Sequence, residues 1–102
     1  MPLFEYDEDV SIKSKDEAET PKMYRVLLHN DHFTTREFVV EVLVVVFHKS
    51  AQDATQIMLD VHRKGMGTVG MYTRDIAETK VDQVHSLAKQ RSYPLRCSCE
   101  EA

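Results

Sequence analysis

The stretch "TTREFVVEVLVVVF", residues 34–47, decides the fold, because it can be read as either kind of element. β-Branched valines lose side-chain freedom in a helix and pack well on a pleated sheet, so propensity alone makes it a strand. Two features point the other way. Thr34 and Glu37 have the T-x-x-E spacing of a capping box, in which each side chain satisfies a backbone N–H that the first helical turn leaves unpaired. The run also exceeds the roughly 5–6 residues of an ordinary strand. The expectation is therefore a buried helix opening at Thr34, with apolar side chains on nearly all sides.

Working outward, "MYRVLLH" (23–29) alternates as a strand, with Tyr24, Val26 and Leu28 on one face and Met23, Arg25 and Leu27 on the other. Asn30 and Asp31 then break it as turn formers. Downstream, Ser50 and Asp53 suit a helix start, and Ala54, Ile57, Met58 and Val61 make one core-facing stripe. Arg63 and Lys64 fit its last turn, and Gly65 fits the left-handed position that ends it. "MGTVGMY" (66–72) reads as a short strand. Thr73 should cap a third helix with Ile76, Ala77, Val81, Val84, Leu87 and Ala88 as its apolar face. Pro94 ends that helix, and "YPLRCSC" (93–99) reads as the last strand. The predicted fold class is α+β, a small three-stranded sheet packed on one face by three helices in the order β-α-α-β-α-β.

The length of 102 residues suits one domain. Charge is uneven. Residues 1–20 hold seven acids against Lys13 and Lys15, whereas the remainder is nearly balanced within a net −4. The division expected is a flexible acidic extension over 1–20 and a core domain over 21–102. No basic patch suggests nucleic acid, and no apolar run is long enough to span a membrane. The acidic start lacks the apolar stretch of a signal peptide, so the expected compartment is cytoplasmic. Cys97 and Cys99 lie two apart, on one face of a strand, where a disulfide would be strained, and read as reduced thiols.

Little catalytic chemistry is visible. There is no G-x-S-x-G elbow, P-loop, G-x-G-x-x-G or H-E-x-x-H, and neither cysteine stands at a helix start. An enzyme is not expected, and no cofactor is implied. His29, Asp31, His32 and His62 are acceptable metal ligands, but His29-x-x-His32 spans a turn, and surface histidines are commonplace. A third option is recognition of a chain's amino terminus. Asn30 and Asp31 offer acceptors just past a strand end, and His62 lies one turn beyond Met58 at the edge of an apolar stripe. Together they could hold an ammonium beside an apolar surface. From pattern alone, a turn and an edge histidine remain the stronger reading.

Taken together, "MYRVLLHNDHFTTREFVVEVL", "ATQIMLDVHRKG", "DIAETK" and "YPLRCSCEEA" resemble ClpS, the bacterial adaptor family of the N-end rule pathway. The resemblance runs from residue 21 to 102. It implies a protein that is not an enzyme, that binds proteins beginning with Leu, Phe, Tyr or Trp, and that hands them to ClpA, the AAA+ unfoldase of the ClpAP protease. Carried over by position, it implies that Asn30, Asp31 and His62, with His32 as a further candidate, contact the α-amino group. Thr34, Arg36, Met58, Val61 and Leu95 would border the pocket for the first side chain. The acidic extension would engage the unfoldase during hand-over, and the adaptor would be a monomer. Three positions depart from the usual family pattern: His32 replaces an acid, Thr35 a frequent Pro, and Arg36 a gate Met. The departures bear on affinity for the ammonium and on which side chains are admitted. Two alternatives are a small metal-binding domain built on the His/Asp cluster, and a paralogous modulator that binds ClpA with an altered or closed pocket.

Overall fold

The computed structural model describes residues 20–102; the acidic extension expected over 1–20 lies almost wholly outside them. Six elements follow in order: β1 (Met23–His29), α1 (Arg36–Val45), α2 (Ala51–Lys64), β2 (Met66–Thr73), α3 (Arg74–Gln90) and β3 (Arg96–Glu101). β1 is the middle strand, antiparallel to β2 on one side and β3 on the other. The β1–β2 register slips between Val26 and Leu27: Val26 faces Gly70 and Leu27 faces Thr68, with Val69 as the extra residue of a bulge. The α+β architecture expected from the sequence is the one observed.

Val26 and Leu28 point to the helices and are fully buried with Val42, Leu43, Ala54, Ala77 and Val84. α3 lies directly on all three strands, α2 on β2, and α1 against α2. Leu27, on the opposite face of β1, is buried without joining that cluster. Free Cys97 is buried among the core residues, and the loss of water pushes its thiol up to about 12, helped by neighbouring Cys99. A thiol held protonated in this way is a poor nucleophile.

The valine run is helical, as its length suggested, but it starts one residue later than the T-x-x-E spacing implied. Thr35 is the N-cap, its Oγ1 accepting from Phe38 N at 3.1 Å, and Thr34 is not. The reason is competition: the Thr34 hydroxyl already donates to Asp31 Oδ2 at 2.7 Å. Glu37 consequently falls at the second helical position and closes no capping box. Nor is α1 apolar-buried all round, since Val44 and Val45 are exposed near its end. Tertiary bonds fix the element instead. Lys80 Nζ donates to Val46 O at 2.7 Å, Arg91 forks onto both carboxylate oxygens of Glu41 and Phe38 packs on Tyr93 with ring centroids 4.7 Å apart. In α3, Ile76 is 49% exposed rather than part of the apolar face, because it sits in the first turn beside solvent. The last strand begins at Arg96, after Pro94, and runs on to Glu101.

α2 ends as expected. Gly65 adopts φ 91 and its N–H bonds Val61 O at 3.0 Å. This left-handed conformation costs an L side chain about 1–2 kcal/mol. A Gly65→Ala variant has space for its methyl group, so only the backbone penalty should appear. Denaturant titration is expected to show a loss of about 1 kcal/mol; unchanged stability would mean that the conformation is not held in solution.

Candidate ligand-binding site

The site is assembled where the end of β1 meets the end of α2. Asn30 N donates to Gly65 O at 2.9 Å, which stitches the two ends together. His62 stands three residues before Gly65 on α2, so this one bond brings Asn30, Asp31 and His62 to the same rim. On α2, Met58 and His62 are one turn apart on the same side, with Val61 beside them. Gly67 backs this arrangement: a Cβ there would come within 2.9 Å of Val61 Cγ2, so β2 can lie this close to α2 only without one.

Asp31 shapes the loop. Its Oδ1 accepts from Phe33 N at 2.8 Å and Thr34 N at 2.7 Å, and its Oδ2 accepts from the Thr34 hydroxyl. Partial burial alone would raise its pKa. The bonds from Thr34 and Phe33, with nearby His32, outweigh that and hold the carboxyl below its ordinary value. Three of about four acceptor positions are thus used within the loop, and one on Oδ2 remains for a ligand.

Between this loop and the two helices lies a hollow of about 440 Å³. Its floor is apolar: Val39 and Val61 are buried and Met58 is half-buried. Asn30, Asp31, His32 and Thr34 form one wall, and Arg36 and His62 form another. Arg36 Nη2 lies 2.8 Å from His62 Nε2. Phe33, 77% exposed, stands at the mouth. Of the residues that the resemblance assigns to the amine site and the pocket, all but Leu95 border this hollow. Leu95 is buried and flanks a separate depression with His85, Tyr93 and Pro94. Val39, Phe33 and Glu37 border the hollow without having been named for it, and so does Thr35, noted from the sequence only as a departure from the family pattern. Val39 was legible in principle, lying four residues beyond the Thr35 cap on the α1 side that faces α2.

The metal alternative loses His29. His29 Nε2 turns to Ser98 Oγ at 2.7 Å, across the β1–β3 pair and away from Asp31. Its pKa is lowered, first by burial and then by the Arg96 charge. Among the described residues no three His, Cys, Asp or Glu side chains gather as a metal ligand set.

What the arrangement can do is hold a small cation against acceptors while an apolar group fills the floor. The family model described as ATP-dependent Clp protease adaptor protein ClpS matches residues 19–98. The chain belongs to the ClpS family. The ATP-dependent Clp protease adapter protein ClpS of Syntrophus aciditrophicus is 57% identical over 96 residues, covering 94% of this chain and 90% of that one. That of Acetivibrio thermocellus is 59% identical over 80 residues, 78% of this chain and 81% of its own. Among solved structures, ClpS2 of Agrobacterium tumefaciens bound to L-phenylalaninamide superposes with a TM-score of 0.79 at 41% identity, covering 81% of this chain and all of that one. ClpS proteins are adaptors of the Clp protease, which places this chain in protein degradation. No helix among the described residues is long and apolar enough to cross a membrane.

Proposed function

We propose that the hollow captures the free amino terminus of a protein whose first residue is Leu, Phe, Tyr or Trp. The bound protein is then delivered to a ClpA-type AAA+ unfoldase for degradation. The observation that carries this reading is the joining of Asn30, Asp31 and His62 to an apolar floor in one hollow. An ammonium needs acceptors, and a Leu- or Phe-sized side chain needs a dry cavity. L-Phenylalaninamide, the ligand of the Agrobacterium relative, offers that combination of free amine and benzyl group. In this reading the protein is a non-catalytic, monomeric, cytoplasmic adaptor, and the acidic segment over 1–20 serves hand-over to the unfoldase. The pocket residues are Thr34, Arg36, Met58 and Val61, with His32 beside the amine site; Leu95 is buried in the core and does not line the hollow.

Magnitudes show that no single contact suffices. Burying the first side chain contributes about 1.5–3 kcal/mol. Each good hydrogen bond to the ammonium adds about 1.5–3 kcal/mol. Micromolar affinity needs about 8 kcal/mol net of association costs. Several amine contacts, the apolar floor and some backbone contacts must therefore act together. A peptide array varying only the first residue tests this: Leu, Phe, Tyr and Trp should be retained and Gly, Asp and Lys should not. Indifference to the first residue would overturn the reading.

A further inference from the structure

We infer that Arg36 is a built-in competitor of the substrate's ammonium. The inference rests on the proposed function and concerns regulation of that same site. A guanidinium can only donate, so in the 2.8 Å contact His62 Nε2 must accept. A neutral imidazole has one acceptor nitrogen; with Nε2 engaged, Nδ1 carries the proton. While Arg36 holds it, His62 has no lone pair for an incoming amine, although it lines the hollow. Binding is therefore an exchange of one cation for another. Asn30 and the free Oδ2 position of Asp31 take the ammonium at once, and His62 joins only after Arg36 leaves. The displaced side chain has somewhere to go. Arg36 also borders an adjoining, mainly apolar depression with Val40 and Met58, where Glu37 supplies a counter-charge. Among the described residues Arg36 takes part in no ion pair that would otherwise tie it down.

The test compares wild type, Arg36→Met, His62→Ala and the double variant. A Phe-initiated peptide with a free amine is titrated by calorimetry, and the tautomer of His62 is followed by imidazole ¹⁵N NMR without peptide. Met keeps the apolar stem and removes the donor. Arg36→Met is expected to bind about five- to tenfold more tightly. No such gain should appear when His62 is Ala. Without peptide, the His62 ring should move from the Nδ1–H form toward the Nε2–H form in Arg36→Met. Wild-type binding with no gain in Arg36→Met, a gain that persists in the His62→Ala background, or an unmoved tautomer each overturns the competition alone. If neither wild type nor Arg36→Met binds the peptide, the functional reading falls and the competition with it.

Discussion

Acetylating the amino group of a Leu- or Phe-initiated peptide should weaken its binding by at least about a hundredfold. The acetyl cap removes the positive charge and leaves one amide N–H where an ammonium has three donors. At about 1.5–3 kcal/mol per charged hydrogen bond, losing two removes about 3–6 kcal/mol. The cap also adds bulk at the rim where Asn30, Asp31 and His62 converge. Fluorescence anisotropy on the matched pair reads the difference directly. Equal affinity would show that the apolar floor alone binds, and that the polar rim recognises nothing.

The second large effect is expected at Asp31, which builds the loop and, in the proposed function, also receives the amine. Asp31→Ala removes three loop hydrogen bonds and the acceptor offered to the amine. Loss of a comparable side-chain cap costs about 1–2 kcal/mol, and binding should fall at least tenfold as one charged hydrogen bond disappears. Asp31→Asn separates the two roles, because its amide oxygen still accepts from Phe33 N and Thr34 N while the charge is gone. Stability should then fall less than in Asp31→Ala, by the part that the charge and the Oδ2 acceptor supply, while binding is lost. Stability should also follow pH in a definite direction. The carboxyl's folded pKa is depressed, so its contribution is present above the ordinary carboxylate pKa and is lost as pH falls through the lowered folded value. Thermal melts of wild type and Asp31→Ala should therefore converge in strong acid. Parallel curves down to the lowest pH would contradict a folded-state role for the charge.

Much of the frame was legible because local signals agreed with one another. The α2 stripe, its Ser50 cap and the Gly65 stop all point to the same helix, and the structure gives each its expected place. α1 was harder, since valine propensity and capping chemistry disagree, and burial of Phe38, Val39, Val42 and Leu43 settled the competition in favour of the helix. What sequence order could not resolve are choices between equivalent partners. Thr34 and Thr35 are chemically alike, and only the loop geometry shows that Asp31 takes the first and leaves the second to cap. Ile76 falls on the apolar face by periodicity, yet in the first turn of α3 it is 49% exposed among the described residues. The site was legible in its residue types but not in its wiring. The Arg36–His62 contact joins residues 26 apart in the chain, and Leu95, assigned to the pocket by resemblance, is buried beside a different depression.

The whole reading depends on one ligand meeting the polar rim and the apolar floor at once. Amide and methyl NMR titration with L-phenylalaninamide tests this most directly. The expected result is a saturable set of shifts centred on Asn30 to Thr34, Val39, and Met58 to His62, which is lost when the N-acetyl form is added instead. Shifts centred on the His85–Leu95 depression, or the same shifts with both forms, would contradict it.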